Sequence, residues 1–234
     1  NLLVVASAAN LIRIDATMTV TLDRRGLEKL LGGYGLELQN EVLLDCHNGI
    51  QFPFQSPLGV PMSLTMPGVF GAQEVDDVQL PRIDGSFVPF FRLFTAPFPL
   101  TSPIVLRPER QPNAKQRIVV RSSNKAFVDT RERKTMMADV AVPPAGAGSE
   151  HVIAAEVSGP LATAFPSGDN MGIAVPAKSP TSSRVLLIAS SQFFVNPFVF
   201  ASKSGDGTPA MMLDPTLVAL GNSYQQAWLR NLVF

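Results

Sequence analysis

The sequence has 234 residues, 46% of them hydrophobic and 16% charged, and its nineteen basic side chains balance its nineteen acidic ones. That length suffices for one large domain or two small ones with a sizeable core. The neutral balance argues against a nucleic-acid partner, because polyanion-binding domains usually carry a basic excess. A single cysteine excludes an internal disulfide and a metal cluster of several cysteines.

The sequence contains no candidate membrane span and no recognisable signal peptide. Its longest apolar run, residues 2–12, includes Ser7 and Asn10 and is shorter than the roughly 20 residues needed to cross a bilayer. The chain opens on a strand-like segment and stops inside a helix-like one. We therefore expect it to be a segment of a longer protein.

The first part of the chain predicts half of an α/β repeat. The run LLVVA at residues 2–6 is typical of a strand buried on both faces of a parallel sheet, and residues 10–21 predict a strand or an extended linker. A helix is expected to begin with Asp23 as its N-cap and to end at a left-handed Gly35. Its apolar stripe falls at positions i, i+3, i+4 and i+7: Leu27, Leu30, Leu31 and Tyr34. Residues 42–44 return as a strand.

Residues 51–112 hold eleven of the twenty prolines and eight of the fifteen phenylalanines. So many prolines exclude long helices and central strands, whereas the aromatic content argues against disorder. We expect an ordered insertion of short edge strands and turns. Its phenylalanines form either a small core beneath a long loop, which we favour, or an exposed surface that contacts a partner: Phe52, Phe54, Phe87, Phe90, Phe91, Phe94 and Phe98.

The second half of the chain predicts three strands, at residues 116–121, 151–157 and 184–190. The last one, RVLLIAS, is uniformly apolar and should lie in the middle of the sheet. Turn-rich stretches are expected to form loops: 143–149, 168–183 and 205–207. A terminal helix is predicted from residue 222 to residue 234. Together these elements predict one three-layer α/β domain over residues 1–234, with a mostly parallel sheet and the Pro/Phe-rich insertion.

Asp45, Cys46 and His47 place a thiol beside an imidazole at a predicted strand end, where α/β proteins hold ligands. A cysteine hydrolase needs its base oriented against the sulfur in space, which sequence neighbours rarely achieve, and the Gly-x-Cys-x-Gly elbow is absent. The alternative is an ordinary small residue at a strand end. With only His47 and His151, and no metal-ligand spacing, we expect no metal.

Polar residues at the ends of predicted strands, or directly after them, are the candidates for ligand binding: Asp45, Arg121, Ser122, Ser190 and Ser191. Residues 121–124, Arg-Ser-Ser-Asn, could hold an anion, although a polar strand end is the interpretation that we favour. No lysine or histidine lies near Ser190 in sequence to activate its hydroxyl. The glycine runs at 32–35 and 146–148 lack the strand–loop–helix setting of a phosphate loop. We therefore expect no catalytic residue and no cofactor.

Two passages are distinctive as patterns. Gly26–Asp45 combines a leucine-rich helix, Tyr-Gly and then Val-Leu-Leu-Asp, and residues 184–194 combine an apolar strand with Ser-Ser-Gln-Phe-Phe. Four more segments accompany them in order: 101–103, 119–123, 153–165 and 222–233. This succession resembles the GldG-like family, auxiliary subunits of ABC-type transport systems linked in some bacteria to gliding motility. The family often has acidic residues where this chain has Ser190, Ser191 and Gln192, and proline where it has Cys46.

The resemblance implies a flavodoxin-like or glutamine-amidotransferase-like domain on the extracytoplasmic, periplasmic face of the inner membrane. It would be tethered by helices outside this sequence and associated with an ABC permease and ATPase, as a possible homo- or hetero-oligomer. Our leading hypothesis is a non-enzymatic accessory or binding domain. The second is an atypical hydrolase of amidotransferase-like fold that uses Cys46 or Ser190. The third is a glycan- or peptidoglycan-binding module with Trp228 or the Phe-rich insertion as a stacking platform.

Overall fold

The computed structural model describes residues 1–13, 18–45, 49–55, 61–73, 82–91, 93, 95–135, 148–165, 176–179, 181–193 and 202–203. The strands are β1 Leu2–Val5, β2 Ala9–Arg13, β3 Met18–Leu22, β4 Leu36–Leu38, β5 Val42–Leu44, β6 Ile50–Gln55, β7 Pro61–Met66, β8 Gly68–Ala72, β9 Arg82–Ile83, β10 Thr95–Pro99, β11 Ile104–Leu106, β12 Lys115–Arg121, β13 Phe127–Asp129, β14 Arg133–Thr135, β15 Val152–Gly159, β16 Ser183–Ile188 and β17 Ser202–Lys203. Helix α1 spans Glu28–Gly33, and 3-10 turns span Val88–Phe90 and Pro108–Arg110.

Nine of these strands form one mixed sheet with the order β1-β16-β15-β12-β9-β8-β10, to which β11 adds by pairing with β15 and with β4. The pairs β1–β16 and β8–β9 are parallel, and the other pairs in this sheet are antiparallel. Three small sheets contain β13–β5, β14–β3–β2 and β17–β6–β7.

The predicted three-layer, mostly parallel α/β fold is therefore wrong, because the described part of the chain is mostly β and its main sheet is mixed and curled. Parallel neighbours need crossover connections of a dozen or more residues, usually helical. The described residues contain only the six-residue helix α1. The central strand β15 instead pairs antiparallel with both β12 and β16.

Several predicted elements are confirmed. Residues 42–44 form β5, and the strands predicted at 116–121 and 151–157 are β12 and β15. The strand predicted at 184–190 is β16, which lies inside the sheet between β1 and β15. Continuous apolar sequence identified a buried strand correctly here, but it did not reveal the direction of that strand's neighbours.

The prediction for residues 2–6 is only half right. They form β1 and pair in parallel with β16, but β1 ends the order of described strands. Leu2 and Leu3 remain 38% and 37% exposed, so this strand is not buried on both faces. Position at the sheet edge, rather than composition, decides its burial.

Helix α1 begins later than predicted, because its N-cap is Leu27 and not Asp23. The Asp23 carboxylate instead accepts a hydrogen bond from the backbone N–H of Arg25 at 2.8 Å. Arg25 and Gly26 both have positive φ, 52° and 77°, and form a tight turn ahead of the helix. The predicted left-handed Gly35 is confirmed, with a φ of 74°.

The 51–112 stretch contributes β8, β9, β10 and β11 to the main sheet, whereas β6 and β7 pair in a small sheet with β17. Strand β8, which contains no proline, lies between β9 and β10, so the expectation that this stretch supplies only edge strands is wrong there. The proline-containing β10 is at the end of the order, as expected for a strand with proline. Phe87, Phe90 and Phe98 are buried, as the favoured core interpretation expects, but they belong to the main core. The rings of Phe98 and Phe193 stack with their centroids 5.0 Å apart.

Candidate functional site at one edge of the sheet

Three strand ends and one strand start meet at a single edge of the main sheet, which we call the carboxyl edge. The parallel strands β1 and β16 end together, with Val5 opposite Ile188. Strand β15 begins beside them, since Ala154 lies opposite Ile188, and the last residue of β12, Arg121, pairs with Val152. The carboxyl edge therefore collects residues that follow β1, β12 and β16.

Ser190 and Ser191 lie at this edge, directly beyond β16. Ser190 is fully buried, and its hydroxyl donates to the carbonyl of Pro99 at 2.6 Å. The Ser191 hydroxyl is 3.2 Å from the Ser7 hydroxyl, which itself bonds the carbonyl of Ala9 at 2.8 Å. The hydroxyls of Ser7 and Ser191 thus face each other beyond the ends of two parallel strands. The hydroxyl of Ser190 instead links the residues after β16 to the end of β10.

The chain between β10 and β11 crosses the carboxyl edge and is tied to it by further hydroxyls. Thr101 donates its hydroxyl to the carbonyl of Ala189 at 2.7 Å, and the Ser102 hydroxyl accepts the backbone N–H of Ala8 at 3.0 Å. Leu100, in the same turn, is buried with a left-handed φ of 49°. A non-glycine residue adopts that conformation only when its surroundings impose it. The hydrogen bonds from both sides supply that constraint.

Asp45 and Ser122 come together at the same edge through Ser123, which lies in the predicted polar segment 121–124. The Ser123 hydroxyl donates to Asp45 Oδ2 at 2.6 Å, and both residues are buried. The Ser122 hydroxyl donates to the carbonyl of Ser123 and accepts the backbone N–H of His151 at 2.9 Å. The sequence indicated this polar segment after β12, but not the hydrogen bond from Ser123 to Asp45.

Arg121 is held by a carboxylate. Its guanidinium lies 2.6 Å from Glu150 Oε1, and the guanidinium of Arg82 lies 3.0 Å from Oε2 of the same carboxylate. Partial burial raises the pKa of Glu150, and the hydrogen bonds from the two arginines more than offset this, so that the pKa lies below its ordinary value. Two cations sharing one carboxylate leave one positive charge at this point of the surface.

His151 contacts a hydroxyl as well. Its Nε2 is 2.9 Å from the hydroxyl of Ser149, and burial lowers the pKa of His151 below its ordinary value of 6.5. A neutral imidazole beside a hydroxyl is one element of a nucleophilic site. The described residues offer no hydrogen bond to the other ring nitrogen, which an oriented base needs.

The remaining predictions fall partly outside the structure that is described. Cys46, His47 and Trp228 are not among the described residues, nor is the predicted terminal helix. Where the chain is described, no three histidine, cysteine or acidic side chains are grouped so that they could hold a metal ion. No helix in the described ranges is long and apolar enough to cross a membrane.

Fold and site together define a mostly β domain with a polar, internally bonded edge on its main sheet. The profile of a protein family described as an ABC-type uncharacterized transport system matches residues 3–217. The chain belongs to this family of auxiliary components of ABC-type transport systems. No curated protein and no solved structure matches it.

Proposed function

We propose that this chain is a non-enzymatic accessory domain that binds the permease and the ATPase of an ABC-type transport system. The observation that carries the proposal is the family match, which includes every strand from β2 to β17. The proposed location is the extracytoplasmic, periplasmic face of the inner membrane, with anchoring helices outside this sequence. Gliding motility is one process that such a system could serve.

The hydrogen bonds of the carboxyl edge argue against a catalytic role for its serines. The hydroxyls of Ser190, Thr101 and Ser122 all donate to backbone carbonyls. A catalytic serine needs its hydroxyl directed at a base. The hydrolase alternative is weakened because the chain does not have the predicted amidotransferase-like α/β fold. The glycan alternative is weakened because Phe87, Phe90 and Phe98 are buried and cannot stack on a sugar.

Co-expression of the tagged chain with the permease and ATPase of its own transport system tests the proposal. We expect the three proteins to co-purify in detergent in fixed proportion. A chain that never forms such a complex, and that instead turns over an ester or amide substrate, would contradict the proposal. The Ser149→Ala variant is the control for any observed turnover, because it removes the one hydroxyl in the described residues that contacts an imidazole.

A further inference from the structure

We draw no further inference here: the strongest candidate, the apolar outer edge of strand β1, where Leu2 and Leu3 are partly exposed at the end of the order of described strands, carries none because nothing in the described part of the chain shows what covers it.

Discussion

At the scale of single residues, buried hydroxyls hold the carboxyl edge together. The Ser123 hydroxyl donates to Asp45 and also accepts the backbone N–H of Lys125 at 3.1 Å. Ser123→Ala removes both bonds inside a buried region, so we expect the free energy of unfolding in urea to fall by about 1–3 kcal/mol. The control is Ser183→Ala, at an exposed hydroxyl, which should change the free energy of unfolding by less than about 0.5 kcal/mol. Equal stabilities would contradict a structural role for the buried hydroxyl.

His151 gives a residue-scale prediction for pH. Burial lowers its folded-state pKa, so the unfolded chain binds more protons as the pH falls below the ordinary value of 6.5. The contribution of His151 to stability is therefore fully present above that value and is lost as the pH falls through the folded-state pKa. We expect urea unfolding at pH 8 to pH 5 to show a steeper decline for the parent than for His151→Gln. Parallel curves would show that the imidazole is not buried.

The sequence predicted that Asp45, Ser122 and Ser190 lie at strand ends. It did not predict which groups their side chains bond. The acceptor of Ser190 lies 91 residues away in the chain, and that of Thr101 lies 88 residues away. A serine after a strand has the same local sequence whether its hydroxyl faces a ligand or a distant carbonyl. Its role depends on long-range contacts that no local pattern contains.

At the scale of elements, two glycines in the turn and helix at Gly26–Gly33 allow the effect of backbone conformation on stability to be measured apart from the effect of packing. A Cβ at Gly26 or at Gly32 would meet no atom within 4 Å, but only Gly26 has a positive φ. We expect Gly26→Ala to lower the free energy of unfolding by about 1 kcal/mol, because an L-residue is strained there. Gly32→Ala, inside α1, should raise it by about 0.5–1 kcal/mol. If thermal unfolding showed that both variants change the free energy of unfolding in the same direction, the assigned backbone conformations would be contradicted.

The strand predictions succeeded where apolar sequence was continuous and failed where geometry depends on the partner. Strands β5, β12 and β16 were identified from their own residues. The parallel arrangement was inferred from one helix followed by one strand. Helix α1 has only six residues and is too short to connect two parallel strands. The expectation that the proline-rich stretch supplies only edge strands is wrong for β8, which contains no proline itself, whereas the prolines of its neighbour β10 lie on a strand at the end of the sheet order.

At the scale of the whole molecule, the Pro/Phe-rich stretch is predicted to unfold together with the central strands. Phe98 is buried and stacks on Phe193, so Phe98→Ala should lower the free energy of unfolding by about 3–5 kcal/mol. Amides of β15 and β16 should lose hydrogen-exchange protection to the same extent as those of β8 and β10. Loss of hydrogen-exchange protection that is confined to β8 and β10 would instead indicate an insertion that unfolds by itself. Phe91→Ala, at an exposed ring, should cost less than about 1 kcal/mol.

The mass of the assembly in solution tests the accessory role most directly. The purified chain, mixed with the detergent-solubilised permease and ATPase of its transport system, can be followed by size-exclusion chromatography with light scattering. An accessory subunit of the ABC-type transport family to which this chain belongs should elute with the other two proteins at a mass that fits a whole-number stoichiometry. Separate elution of the chain at its own mass, over concentrations well above those in the cell, would contradict the account.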